Sequence, residues 1–203
     1  VKQYLIDEFI DEWEPRYNIA PTQKVLSLIS HKGKRRAGSI TWGLVPRWAD
    51  REKWKPLINA RSETLLEKAS FKSLVHQNRM VIFADGFFEW KRQKGEKIPV
   101  RFQLKNEKPF VFAGLWERNG DMHTSTILTT EANPLVGNVH DRMPVILSEQ
   151  EDIEKWLNTE AYSFEEASSI LKPYRQDEMK AYEVSKAVNS PKNDSAECIV
   201  PVH

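Results

Sequence analysis

Two residues carry the strongest chemical suggestion in this chain. Glu89 lies among aromatic residues in Phe83-Ala84-Asp85-Gly86-Phe87-Phe88-Glu89-Trp90, and His140 lies in Val139-His140-Asp141-Arg142-Met143-Pro144. A carboxyl on an apolar strand loses solvation of its charged form, which raises its pKa and suits it to general acid/base work. His140 is the histidine whose charged neighbours lead directly into an apolar strand. Taken singly, each residue also fits a structural role: Glu89 as a salt-bridged carboxylate with Arg142 as its partner, His140 as a satisfied imidazole.

Three other stretches interrupt apolar segments with polar groups. Tyr17-Asn18-Ile19-Ala20-Pro21-Thr22-Gln23 offers a proline-fixed backbone and amide or hydroxyl hydrogen bonds, and alone reads as a loop. Trp42-Gly43-Leu44-Val45-Pro46-Arg47-Trp48 reads as a core tryptophan followed by an arginine and an indole that could hold a phosphate and stack on a base. Ile58-Asn59-Ala60-Arg61-Ser62-Glu63-Thr64 sits at a loop-to-helix junction, where free N–H groups and an arginine suit an anion. There Ser62 could equally cap the helix and Arg61 pair with Glu63. The basic residues Lys32, Lys34, Arg35, Arg36, Arg47 and Arg51 could line a single-strand groove or form an ordinary solvated face.

The elements that must position these residues read as α+β: a mostly antiparallel, barrel-like β-sheet core with peripheral helices, in one domain over 1–203. Leu5, Ile6, Phe9, Ile10 and Trp13 recur at helical spacing, so a helix is expected up to Pro15, already running where the chain begins. Strands are expected at Val25–Ile29, Ser39–Val45, Met80–Ala84, Phe87–Trp90, Val100–Leu104, Phe110–Glu117, His123–Thr129 and Met143–Leu147. Turns are expected at 31–34 and at Asn119-Gly120. Thr64–Ala69 is a short helix candidate. Ser148 with Glu151, and Ser163 with Glu166, have the spacing of capping boxes for two closing helices.

Composition bounds the possibilities. The 203 residues include 40% hydrophobic and 29% charged side chains, enough apolar material for a real core. Seven tryptophans suggest that some line the rim of a cleft. The net charge of +1 does not point to a duplex-coating protein, although it allows a local basic groove. The single cysteine, Cys198, excludes an intramolecular disulfide and a cysteine-based zinc site, and fits a reducing compartment. The histidines are scattered and no phosphate-binding glycine loop occurs, so no metal and no cofactor are expected. No stretch is apolar enough for a membrane span and no signal peptide is visible, so a cytoplasmic monomer is expected.

Taken together and in this order, the stretches resemble the SOS-response-associated peptidase (SRAP) family. The matching runs are Y-N-I-A-P-T-Q, W-G-L-V-P-R-W, I-N-A-R-S-E-T, F-A-D-G-F-F-E-W, I-L-T-T and H-D-R-M-P-V-I-L, followed by V-S-K-A-V-N-S-P-K-N-D. The resemblance implies a protein that binds single-stranded DNA, nucleoid-associated when bound, and joins covalently to abasic sites through an N-terminal cysteine. The cysteine amine would form a Schiff base with the sugar aldehyde and the thiol would close a thiazolidine. Self-processing peptidase activity would remove the initiator methionine. The resemblance assigns Asn59 and Arg61 to the sugar and its phosphate, Glu89 to proton shuttling and His140 to ring opening. It places Thr129 and Arg142 in the site lining and Trp48, Arg47 and Pro21 against DNA.

The family pattern opens Met-Cys-Gly-Arg, whereas this sequence opens Val-Lys-Gln-Tyr. Either the cysteine segment precedes Val1 or it has been lost. A first helix that begins already in progress favours the former, and Val1 offers an amine without a thiol. Two alternatives remain open here: a non-covalent single-strand-binding module with a vestigial site, and a thiol-type peptidase.

Overall fold

The structure is a computed structural model that describes residues 4–202. Val1 and its amine therefore lie outside the described residues. The strands are β1 (Glu8–Phe9), β2 (Lys24–His31), β3 (Lys34–Trp42), β4 (Asn59–Arg61), β5 (Arg79–Ala84), β6 (Phe87–Gln93), β7 (Glu96–Leu104), β8 (Phe110–Asn119), β9 (Met122–Glu131), β10 (Arg142–Pro144), β11 (Ile146–Leu147) and β12 (Met179–Glu183). The α-helices are α1 (Leu74–Gln77), α2 (Pro134–Gly137), α3 (Gln150–Leu157) and α4 (Phe164–Ala167), with short 3-10 turns between them.

The architecture is α+β and dominated by sheet. β3, β2, β5, β8 and β9 pair in sequence, and β9 returns to pair with β3, so these strands close a hydrogen-bonded ring. Most pairings are antiparallel, but β1 on β3, and β3 and β4 on β9, run parallel. β6, β7 and β12 form a separate three-stranded sheet in the order β12-β7-β6. The expected turns are present. Lys32 and Gly33 both have positive φ between β2 and β3, as a two-residue hairpin requires, and Gly120 does so between β8 and β9.

One departure from simple meander order builds the site. β8 and β9 pair from Asn119↔Met122 to Gly114↔Ile127 and then separate. The segment 142–147 enters the gap: β10 pairs with β9, β11 pairs with β8, and Val145 between them donates to Leu128 and accepts from Ala113. The expected single strand Met143–Leu147 is thus two short strands that change partner at Val145. On its other edge β9 carries β4, with Arg61 opposite Thr129 and Thr129 opposite Pro144. The I-N-A-R, I-L-T-T and H-D-R-M-P runs therefore meet side by side.

Two expected features are absent. The helix over residues 5–13 is not formed: Asp7 and Ile10 donate backbone hydrogen bonds to Arg35 and Ala37, and β1 lies parallel on the edge of β3. The Asp7 and Asp11 carboxylates accept the backbone N–H groups of Arg35 and Ser39, which fixes this pairing while Leu5, Phe9, Ile10 and Trp13 stay exposed. The first capping box is also absent, because the N-cap of α3 falls one residue later, at Glu149, and makes no side-chain cap. Ser148 instead meets the Tyr174 hydroxyl at 2.9 Å. The second capping box is present in full, with Ser163 accepting from the Glu166 N–H and Glu166 accepting from the Ser163 N–H.

The small sheet separates two environments. Phe87 and Phe102 stack at 5.1 Å inside the cluster that also holds Ile82, Phe112 and Met143. Phe88 and Trp90 point to the other face, where Val184, Val188 and buried Cys198 cover them. Side chains alternate along a strand, so Glu89 lies on the same face as Phe87.

Candidate active site

Glu89 is half-buried on β6, and among the described residues none donates a hydrogen bond to its carboxylate. Burial pushes its pKa above the ordinary carboxylate value; the charge of His140 opposes that rise and the charge of Asp141 adds to it. Glu89 is thus within electrostatic range of both residues, which lie far from it in sequence. The alternative partner considered from sequence, Arg142, is engaged elsewhere.

His140 follows α2 at the end of the excursion from β9 to β10. Its backbone N–H donates to the Val136 carbonyl at 2.9 Å. The Arg142 N–H donates to His140 Nδ1 at 3.1 Å, which leaves Nε2 to carry the proton of the neutral ring. The Arg142 carbonyl lies 3.2 Å from the same Nδ1, and the Asp141 carboxylate lies 3.4 Å from it. Once Nδ1 is protonated, these acceptors replace the N–H donor without reorienting the ring.

Arg142 makes a bidentate pair with Glu63, with both N–O distances at 2.9 Å, and also donates to the Thr129 carbonyl at 2.9 Å and hydroxyl at 3.1 Å. The hydrogen bond from Arg142 holds the Glu63 carboxyl below its ordinary pKa; burial opposes that shift, and the charges of Arg142 and Arg61 favour it. Arg142 is therefore a strut between the 3-10 turn at 62–67 and the β9–β10 pair. Arg61, exposed on β4 beside Asn59, makes no hydrogen bond from its guanidinium among the described residues. Ser62 does not cap the following turn either.

The other predicted residues sit apart. Arg47 spends its guanidinium on the buried Glu117 carboxylate at 3.1–3.3 Å. Trp48 is exposed and meets Trp54 edge-on at 5.0 Å. Pro21 lies in the exposed turn before β2, where Thr22 N–H bonds to the Trp42 carbonyl. Among the described residues no hydrogen bond or ring contact joins Pro21, Arg47 or Trp48 to Glu89 or His140. Of the proposed groove residues, Arg35 is buried on the Tyr4 carbonyl and Glu154, Arg36 pairs with Glu8, and Arg51 pairs with Asp121. Arg35 is therefore a structural cation and not part of a groove.

Sequence reasoning missed Glu63 as the anchor of Arg142 and Asp141 as a charge beside Glu89. The only sequence signal for Asp141 was its adjacency to His140, and Glu63 was read as a possible partner of Arg61 instead. It also left the Tyr17–Gln23 loop as a plain loop. Buried Asn18 in fact donates to the carbonyls of Val188, Ser190 and Asn193, and Asp194 accepts from the Tyr17 and Asn18 N–H groups. This latch joins the first motif to the C-terminal run that backs the small sheet, where Trp90 Nε1 donates to Asn189 at 2.7 Å. Among the described residues no group of three or more His, Cys, Asp or Glu is placed to hold a metal ion. No described helix is long and apolar enough to cross a membrane.

The two arginines invite a paired test. Arg142→Ala strands Glu63 and Thr129 and should lower stability by about 1–2 kcal/mol, because the pair is only partly buried. Arg61→Ala should stay within about 0.5 kcal/mol of the parent. Equal destabilisation of both variants in urea denaturation would contradict the strut assignment.

The chain is a member of the SOS response associated peptidase (SRAP) family, whose sequence profile matches residues 2–191. It is 45% identical over 208 residues to abasic site processing protein YoqW of Bacillus subtilis (strain 168), covering 98% of this chain and 92% of that protein. It is 35% identical over 193 residues to abasic site processing protein YedK of Escherichia coli (strain K12), covering 92% and 85% of the two chains. Among solved structures, a protein from Bacteroides thetaiotaomicron superposes with a TM-score of 0.75 at 30% identity, covering 93% of this chain and 82% of that one. A protein from Bordetella bronchiseptica superposes with a TM-score of 0.77 at 25% identity, covering 91% and 93%.

Proposed function

We propose that this protein processes abasic sites in single-stranded DNA by covalent capture, with Glu89 and His140 as its acid/base pair. The observation that carries the reading is the half-buried, hydrogen-bond-free Glu89 carboxyl in electrostatic contact with an imidazole that is anchored in either protonation state. The names of the relatives, abasic site processing proteins, supply the substrate class.

The chemistry follows from the sugar. An abasic deoxyribose is mostly a closed hemiacetal, so His140 assists ring opening by moving a proton between the ring oxygen and the anomeric hydroxyl. The nucleophile in this reading is the amine of a cysteine at the mature N-terminus, upstream of Val1. Its nitrogen attacks the aldehyde carbon and passes one proton to the oxygen; protonated Glu89 then donates to the resulting hydroxyl, which leaves as water, and takes back the second nitrogen proton, yielding the imine. The cysteine sulfur then adds to the imine carbon as its proton passes to nitrogen, closing a thiazolidine with no oxidant or reductant. Arg61, whose guanidinium makes no hydrogen bond among the described residues, receives the flanking phosphate, and Asn59 beside it binds the sugar. Exposed Trp48 offers an indole to a neighbouring base. Removal of the initiator methionine, by the same acid/base pair, would expose the amine.

Incubation of the full-length protein with a single-stranded oligonucleotide bearing one abasic site should give an adduct that survives a denaturing gel. An intact oligonucleotide should give none. Binding without any stable adduct would replace this reading with that of a non-covalent single-strand module.

A further inference from the structure

The chain leaves β9 at Glu131 and returns at Arg142 directly opposite, and the Ala132 N–H donates to the Asp141 carbonyl at 3.0 Å to close the base of this excursion. The backbone that carries His140 is therefore set by residues 132–141 and by what they bond to. His140 and Val139 both donate their N–H groups to the Val136 carbonyl, at 2.9 and 2.8 Å. Val136 is held in turn from the other side, because its N–H donates to the Asn133 side-chain oxygen at 2.9 Å. Asn133 is buried, at 5% exposure, and its side-chain amide donates to the Tyr174 carbonyl at 2.7 Å. Its own carbonyl accepts the Gly137 N–H at 2.8 Å, and its N–H points to the Met143 sulfur at 3.3 Å.

Asn133 thus does two things at once. Its oxygen caps a helix of a single turn, and its nitrogen ties that turn to the 171–178 segment. α2 runs only from Pro134 to Gly137, too short to hold its shape by its own hydrogen bonds, so the cap and the tether decide where it sits. Tyr174 is itself fixed, because its hydroxyl meets Ser148 at 2.9 Å and donates to Glu178 at 3.0 Å.

We infer that Asn133 is a positioning residue for His140: through the Val136 N–H it sets the carbonyl that orients the His140 backbone, and so places the imidazole beside Glu89. Asn133 touches neither substrate nor the reacting atoms. The inference rests on the acid/base role proposed above, and the experiment separates the two. Misplacement of a reacting group by about 1 Å costs up to roughly 100-fold in rate, so loss of the cap should slow capture while leaving DNA affinity alone.

The test uses the full-length protein and an abasic-site oligonucleotide, with single-turnover adduct formation followed on denaturing gels at a temperature where each variant is folded. Asn133→Ala should slow adduct formation ~10- to 100-fold, with the affinity for intact single-stranded DNA unchanged. Asn133→Ser, which keeps a capping oxygen, should recover most of the lost rate. In the His140→Ala background, adding Asn133→Ala should cost almost nothing further, because the group it positions is already gone. If Asn133→Ala does not fold, Asn133→Gly is used instead, since glycine is a tolerated N-cap and removes the same oxygen. An unchanged rate in the alanine or glycine variant, or a loss of the same size in the His140→Ala background, overturns the inference. No adduct with the parent protein overturns the proposed function instead.

Discussion

Replacing Glu89 by glutamine is expected to slow adduct formation with an abasic oligonucleotide about 100-fold and, at neutral pH, to raise the melting temperature. The two effects have one cause. Glu89 is half-buried, no described residue donates a hydrogen bond to it, and burial is the largest contribution raising its pKa. The folded protein therefore holds this proton more tightly than the unfolded chain does. The stability linked to that proton is fully present below the unfolded carboxylate pKa and is lost as pH rises through the raised folded value. Above the unfolded carboxylate pKa the buried acid therefore costs the fold free energy, a cost that glutamine removes while keeping nearly the same shape. The melting-temperature difference between variant and parent should accordingly shrink toward zero in acid. Glutamine has no proton to exchange, so the variant should also lose the fall in rate that the parent shows as pH climbs through the raised pKa. Thermal melts across pH, paired with single-turnover rates, check both halves. A variant that is less stable at neutral pH, or as fast as the parent, would remove Glu89 from the acid/base role.

The second large effect is on the fold. Trp156→Ala should lower stability by about 3–5 kcal/mol, a large share of the roughly 5–15 kcal/mol that domains possess. Trp156 is fully buried on α3, with Ile153 and Leu157 on the same face, and its indole N–H donates to the Met80 carbonyl at 2.8 Å. The Gly114 carbonyl lies 3.3 Å from the same nitrogen, so one side chain bridges β5 and β8. The Arg79 guanidinium centre sits 5.3 Å from the ring centroid, and burial lowers the Arg79 pKa to about 10. An aromatic face is one of the few partners that suits a buried cation with little else to bond. Alanine removes the packing, the hydrogen bond and this face together. Trp156→Phe should retain most of the packing and lose less, which chemical denaturation at constant slope would resolve. A loss below about 1 kcal/mol in the alanine variant would mean that α3 is not what clamps the ring.

Sequence alone carried a good part of the outcome. β2, β3 and the strands from β5 to β9, two of the tight turns and the Ser163–Glu166 capping box were legible, because alternation, turn chemistry and caps are local signals within a few residues, whereas β4 lay in a stretch that read as a loop-to-helix junction. The ordered motifs also placed the chain in its family before any geometry was known. Local signals failed where the chain had a tertiary alternative. Residues 5–13 have helical spacing, yet their backbone bonds to the open edge of β3, because a sheet edge offers unpaired partners that periodicity does not report. Ser148 has capping spacing, yet its hydroxyl is at hydrogen-bond distance from Tyr174.

The candidate site shows the same division. The residue types of Glu89, His140, Arg61 and Arg142 pointed to acid/base and anion chemistry from the sequence, while each remained individually compatible with a structural role. Only the tertiary structure decided which arginine is free. Arg142 is bound to Glu63, 79 residues away, while Arg61 stays exposed and makes no hydrogen bond from its guanidinium among the described residues. Likewise only the return of the chain to β9 at Arg142 brings His140 within electrostatic range of Glu89, 51 residues earlier in sequence. Chain order fixes what chemistry is available at a site. Pairings between distant residues, each carrying a desolvation cost and a geometric requirement, settle which groups perform it and which hold the others in place.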